Sequence, residues 1–139
     1  MPRGNYNVKS WPTKFGVTIS SMRLADYTDR ITDNEKTFPI GRGSELVRRL
    51  KEYSFQVFTD CYQANDWRVL DREDYITRRN LQGDAIKLCE LLLPCIQLAQ
   101  KEFHLEVRRM LYWGAMVIDV RDKIKAWEES DNKRYAKFL

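Results

Sequence analysis

The fold of this chain is decided by the stretch Ser44–Asp66, SELVRRLKEYSFQVFTDCYQAND. Its apolar and small residues recur every three or four positions, the spacing that places side chains on one face of an α-helix. The recurring positions are Leu46, Leu50, Tyr53, Ser54, Val57, Cys61 and Ala64, and Val47 and Phe58 widen the stripe. Ser44 is the predicted N-cap because its hydroxyl can accept a hydrogen bond from a free N–H of the first turn. The stretch therefore predicts an amphipathic helix with one buried face.

Helical patterns occur on both sides of this stretch. A shorter helix is predicted from about Ser20 to Asp33, with Ser20 or Ser21 as N-cap. A long one is predicted to begin near Asp71, and its core positions are Leu81, Ala85, Leu88, Leu92, Cys95, Ile96, Ala99 and Phe103. Pro94 lies inside it, removes one backbone hydrogen bond at a cost of about 3 kcal/mol, and predicts a kink in one continuous helix.

The last helical pattern starts around Leu105. Its predicted core positions are Val107, Leu111, Gly114, Val117, Ile118, Arg121, Ile124 and Trp127. The intervals between the long helices are short, and short links join antiparallel neighbours. The sequence therefore predicts an all-α protein, an antiparallel up-down-up-down four-helix bundle. Residues 1–16 are interpreted as an N-terminal extension, 17–130 as the bundle, and 131–139 as a C-terminal tail that Tyr135 and Phe138 could anchor.

The composition favours a single domain in a reducing compartment. No run approaches the roughly 20 apolar residues of a membrane span, and the first residues lack the apolar core of a secretory signal. Cys61, Cys89 and Cys95 fit no paired spacing and lie among apolar neighbours, so we expect buried, reduced thiols. These features predict a cytoplasmic location and no membrane contact.

The residues that enzymes need are missing from the pattern. His104 is the single histidine, and it falls at a predicted helix junction, where a cap or surface role is expected. It cannot supply the paired Glu-x-x-His ligands of a bundle metal site, and Gly41-Arg42-Gly43 lacks the spacing of a phosphate loop. We expect no catalytic residues, no metal and no cofactor, and therefore no enzyme.

Arginines suggest a binding role instead. The formal net charge is +4, and the interval from Lys36 to Lys51 carries five basic residues against Glu45 alone. The guanidinium fork suits phosphate because it donates two parallel hydrogen bonds. The candidate nucleic-acid-binding residues are Arg42, Arg48, Arg49, Lys51, Arg78, Arg79, Arg108 and Arg109. Ion pairs with Glu45, Glu52, Asp74 or Glu106 are an equal alternative for each arginine doublet.

A family resemblance rests on a few spacings and punctuating residues. They are Phe38-Pro39, the Leu46 to Asn65 helix, Arg72, the Leu92, Leu93, Leu98, Ala99 run, and Trp127 followed by Ser130. Over roughly Ile19 to Ser130 the chain resembles the four-helix-bundle accessory variability determinants of diversity-generating retroelements. It differs from them in having no basic residue from Leu91 to Gln97 and Lys125-Ala126 before the tryptophan.

The resemblance implies a homo-pentamer with a basic surface that binds a reverse transcriptase and its template RNA, and so supports mutagenic cDNA synthesis. A sibling branch, encoded within intervening sequences of 23S ribosomal RNA genes, implies the alternative of a protein-interaction scaffold without direct nucleic-acid contact. The aromatic residues Trp67, Tyr112, Trp113 and Trp127 also led us to expect a homo-oligomer, since a small bundle cannot bury so much apolar surface.

Overall fold

A computed structural model describes residues 15–39 and 44–139. The helices are α1 (Gly16–Asp33), α2 (Glu45–Asp66), α3 (Arg72–Phe103) and α4 (Val107–Arg134), followed by a short 3₁₀ helix, Ala136–Phe138. Each helix packs against the next in the chain, and α4 closes the arrangement against α1. No strand occurs in the described ranges. The predicted all-α, up-down-up-down four-helix bundle is thus confirmed.

The core is built around Trp113, which is fully buried. Its indole Nε1 donates a hydrogen bond to the Thr28 hydroxyl at 3.1 Å, which satisfies the donor in the interior. Phe38 and Tyr27 pack edge-on against its rings, so the α1–α2 connection and α1 both rest on α4. Trp127 is also mostly buried. These tryptophans therefore belong to the bundle itself and are not the surplus apolar surface on which the oligomer expectation was based.

The helix ends follow the sequence in most places. Ser44 caps α2 by accepting from the Val47 N–H at 3.0 Å, and Asp71 caps α3 by accepting from the Asp74 N–H at 2.8 Å. His104 occupies the C-cap of α3 with a left-handed φ of 54°, which confirms its expected capping position. The start of α1 was predicted wrongly. It begins at Gly16, four residues before Ser20, and Phe15 precedes it without a side-chain cap.

The two longest helices, α3 and α4, differ in how well their extent was predicted. α3 runs unbroken through Pro94, as expected, and Pro94 itself is exposed. α4 extends to Arg134, beyond the predicted boundary at residue 130. The chain then folds back, and Tyr135 and Phe138 pack against Tyr75 of α3. Residues 131–139 are therefore part of the bundle and not a separate tail. Residues 1–14, most of the predicted extension, lie outside the described residues.

The first half of α4 departs from the predicted core register. Val107 is 56% exposed, Leu111 61% and Ile118 40%, although all were predicted to be buried. The buried stripe is instead Trp113, Val117, Val120, Ile124 and Trp127. Two apolar stripes run along α4, and the bundle buries the one that contains Trp113. The other stripe stays on the surface.

The three thiols are all unpaired, and Cys61 and Cys89 are buried as expected, whereas Cys95 is half-buried. Burial raises the pKa of Cys61 to about 12 and that of Cys89 to about 12. Thiols in this state carry little thiolate and are poor nucleophiles.

Asp60 is a carboxyl buried between α2 and α3. It is 2% exposed, and it accepts a hydrogen bond from Gln56 Nε2 at 2.8 Å. Burial, together with the neighbouring Asp84 carboxyl, raises the pKa of Asp60 from 3.8 to about 7. The folded protein therefore binds a proton at this site that the unfolded chain releases above about pH 4.

Proton binding at Asp60 predicts that the protein is more stable at mildly acidic pH than at neutral pH. Because the folded state binds more protons than the unfolded state between about pH 4 and pH 7, the free energy of unfolding should fall as pH rises through that interval. Asp60→Asn should flatten the fall and leave the variant more stable than wild type at pH 8. Urea denaturation at several pH values measures both effects. Asp26→Asn, at an exposed carboxyl of α1, is the control and should keep the wild-type slope.

Candidate nucleic-acid interface

A cleft of about 610 Å³ opens at the end of the bundle where α2 ends and α3 begins. We call it the end cleft. Its lining residues come from all four helices or their ends: Phe15, Asn65, Asp66, Trp67, Arg68, Val69, Arg78, Trp127, Ser130, Asp131, Arg134 and Tyr135. The cleft exists because α2 stops at Asp66 and the chain crosses to α3 at Asp71, while α4 continues alongside to Arg134.

The floor of the end cleft is a buried ion pair. The Arg78 guanidinium donates to both carboxylate oxygens of Asp131, at 2.7 and 3.1 Å, and to the Ala64 carbonyl oxygen at 3.3 Å. Gln82 donates a further hydrogen bond to Asp131 at 2.8 Å. The guanidinium also lies 5.0 Å from the centre of the Trp127 ring. Arg78, which was predicted as a contact for RNA, is therefore buried and uses each of its three nitrogens in a hydrogen bond within the protein.

The rim of the end cleft carries two cations of a different kind. Arg68 and Arg134 are exposed, and no carboxylate in the described ranges forms an ion pair with either. Arg134 lies over the Tyr135 ring at 5.3 Å, a cation–π contact that leaves its N–H donors open. The Arg78–Asp131 pair is neutral and the lining also contains Asp66, so the two rim arginines give the cleft a formal net charge of about one positive unit. The arrangement can therefore accept an anion.

Trp67 adds an unsatisfied donor to this cleft. Its Nε1 atom is buried and has no hydrogen-bond partner in the part of the chain that the structure describes. A buried N–H without an acceptor costs about 1–3 kcal/mol. The indole lies at the C-cap of α2, where the backbone N–H bonds to the Ala64 carbonyl at 3.3 Å and fixes the residue at the cleft wall. An acceptor brought by a ligand would remove this cost.

The predicted cluster on α2 consists of ion-paired residues. Arg48 bonds to Glu45 and Glu52, Arg49 bonds to Glu45 at 2.9 Å, and Lys51 bonds to Asp33 of α1. The hydrogen bonds from Arg48 and Arg49 lower the pKa of the Glu45 carboxyl to about 2. The ion-pair alternative thus describes this doublet in the structure. Such exposed pairs are weak, so they oppose phosphate binding only slightly.

The remaining candidates lie apart from one another. Arg79 sits 5.7 Å above the Tyr75 ring at the start of α3. Arg108 and Arg109 are exposed at the start of α4, and no acid in the described ranges pairs with them. Arg109 lines a smaller cleft of about 340 Å³ with Lys36, His104 and five other residues, at the opposite end of the bundle. Arg42 lies outside the described residues. Of the seven predicted residues in the described ranges, Arg78 and Arg79 lie at the start of α3, at the end of the bundle opposite to the starts of α2 and α4, which carry the other five.

The two rim arginines of the end cleft, Arg68 and Arg134, were not selected from sequence. Trp67-Arg68 stands in the short link after α2, which was interpreted only as a connection, and Arg134 stands in the predicted tail. An aromatic next to an arginine in a link is a usable signal, because such pairs bind bases and phosphates. Arg134 carries no such local signal, since only the extension of α4 brings it beside Arg68.

No group of three or more metal-binding side chains occurs in the described ranges, and none of the helices there is long and apolar enough to cross a membrane. No protein-family model, curated protein or solved structure matches the chain. The resemblance to the retroelement accessory proteins therefore stays a hypothesis from sequence.

The ion pair in the cleft floor gives a stability prediction. Arg78→Ala should lower the free energy of unfolding by about 3–5 kcal/mol, because it leaves Asp131 as an unpaired buried charge. The control is Arg79→Ala, which removes only a partly exposed guanidinium and should cost less than about 1 kcal/mol. Urea denaturation measures both. If Arg78→Met combined with Asp131→Leu is no more stable than Arg78→Ala alone, the loss does not come from the stranded charge.

Proposed function

We propose that this protein is a non-catalytic RNA-binding protein, an accessory subunit of a reverse transcriptase, and that it takes single-stranded RNA into the end cleft. The observation that carries the proposal is the buried Trp67 N–H, which has no acceptor in the described ranges, on a residue that lines the same cleft as Arg68 and Arg134, two arginines without an ion pair there. A free donor and two free cations at one opening form a site for a ligand that is both anionic and rich in acceptors.

RNA has the chemistry that these groups would recognise. Each nucleotide offers phosphate oxygens for the guanidinium groups and base or 2′-hydroxyl oxygens for the indole N–H. Aromatic rings at the cleft, Trp67 and Tyr135, provide faces on which an unpaired base could stack. A cleft of about 610 Å³ has room for a splayed base. These features favour a single strand or a loop.

The accessory role comes from the family resemblance and is the finer part of the proposal. It predicts that the gene lies beside a reverse-transcriptase gene, and that the purified protein binds that enzyme. The smaller cleft at Arg109 and Lys36 would extend the path for RNA along the bundle. The alternative is a scaffold without nucleic-acid contact. It predicts no salt-dependent RNA binding, and under it substitutions in the end cleft should not change RNA affinity.

The arginines of the rim are tested by charge removal. Arg68→Gln with Arg134→Gln should weaken binding of a labelled single-stranded RNA in fluorescence anisotropy, roughly equally for different sequences. Each lost phosphate contact should also reduce the slope of log affinity against log salt by about 0.7. The matched control is Arg48→Gln with Arg49→Gln, which removes the same charge from arginines already paired with Glu45. If RNA affinity fell equally in both double variants, binding would depend on net charge alone, and this would contradict the proposed site.

The indole of the cleft wall is tested separately. Trp67→Phe keeps an aromatic ring and removes the N–H donor, so the free protein should be at least as stable as wild type, since a buried orphan donor is gone. RNA affinity should nevertheless fall, because the ligand loses its hydrogen-bond donor. Urea denaturation and RNA anisotropy on the same sample measure the two effects. Unchanged RNA affinity would place the ligand elsewhere, and the scaffold alternative would then be favoured.

A further inference from the structure

An exposed apolar stripe runs along the outer face of α4. Leu111 is 61% exposed, Ile118 is 40% exposed, and Ala115 lies between them on the surface. This is the stripe that the sequence predicted to be buried. An apolar pattern at helical spacing normally lies against another element, and here nothing in the described ranges covers it. The stripe therefore marks a contact that one copy of the chain does not provide.

The stripe borders a groove between α3 and α4. The groove has a volume of about 440 Å³ and is lined mainly by apolar side chains, including Leu93 of α3 and Met110 of α4. Its floor is low at Gly114, where an added Cβ would meet only the Leu93 Cδ2 atom, at 4.0 Å. Small residues at positions 114 and 115 allow the backbone of another helix to approach closely. The shape suits a helix.

Charge identifies which helix fits. Arg108 and Asp122 are both exposed and stand seven residues before and after Ala115, at the two ends of the stripe. Seven residues are almost two helical turns, so both lie on the face of Ala115, about 10 Å from it along the axis. If two copies of α4 cross antiparallel at Ala115, Arg108 of each copy meets Asp122 of the other. A parallel crossing would place like charges opposite each other.

The structure thus leads us to propose that the α4 stripe is the interface of a two-fold symmetric homodimer, in which α4 packs antiparallel against α4 of a second copy. Leu111 of each copy then packs beside Ile118 and Asp119 of the other, and the groove over Gly114 receives the opposing helix. Arg109 points about 100° away from Arg108, toward the smaller cleft, so dimerisation leaves the proposed RNA sites open. The inference is independent of RNA binding.

Neighbouring charges are compatible with this pairing. Arg121 Nε donates to one oxygen of Asp122 at 3.2 Å, and the Asp122 side chain remains 59% exposed, so a second cation can still approach it. Lys123 is paired with Asp119 on the same helix at 3.0 Å. Arg108 has no acidic partner in the described ranges. The two-fold contact would supply one.

The test is a charge swap in the full chain, followed by light scattering at micromolar concentration. Wild type should have twice the monomer mass of 16.6 kDa. Arg108→Glu alone and Asp122→Arg alone should each shift the mass toward the monomer, because each places like charges opposite each other at both ends. The double variant restores opposite charges and should restore the dimer. Circular dichroism verifies that every variant keeps its helical content.

An apolar pair of variants provides the matched control. Leu111→Asp should give a monomer, whereas Leu70→Asp, at an equally exposed leucine outside α4, should stay dimeric. A monomeric wild type overturns the inference. So does a larger assembly, such as the pentamer that the family resemblance implies, if its mass is unaffected by the single charge changes. Failure of the double variant to recover also overturns the antiparallel register.

Discussion

The buried pair of Arg78 and Asp131 is the interaction on which this end of the molecule depends. It joins α3 to the end of α4, and through the Ala64 carbonyl it also holds the end of α2. A paired buried charge is tolerated only when its remaining hydrogen bonds are satisfied, and here Gln82 and the ring of Trp127 complete them. The same geometry neutralises the floor of the end cleft, so its charge is set by the rim arginines together with Asp66.

The bundle could be predicted because its links are short and its helices are strongly periodic. Ser44, Asp71 and His104 each act at the end where local chemistry placed them. Two features could not be predicted from local patterns. α1 begins at Gly16, after a Phe15 that provides no capping side chain, and α4 carries two apolar stripes, of which periodicity alone does not show which one is buried. Tertiary packing makes the choice, because Trp113 fills the space under Thr28 that a leucine would leave open.

The candidate site was less accessible to sequence reasoning. Arginine doublets identify charge, but they do not show whether an acid stands one turn away, as Glu45 does for Arg48 and Arg49. Nor do they show burial: Arg78 and Arg79 are adjacent, yet only the first is inside. The end cleft combines Arg68 with Arg134, which are far apart in sequence. Such a pair becomes visible only when the helices are assembled.

The connectivity of the bundle also determines how it should fold. Most packed neighbours are consecutive in the chain, and such local contacts close small loops and form fast. The α1–α4 contact is the long-range exception, and the buried face of α1 is rich in hydroxyls, with Thr18, Ser21, Thr28 and Thr32 all inside. Hydroxyl side chains bury little apolar surface. We therefore expect α1 to pack against the bundle last during folding and to detach first in local unfolding. Amide hydrogen exchange should then be fastest in α1, and each such opening would briefly expose Trp113 to water.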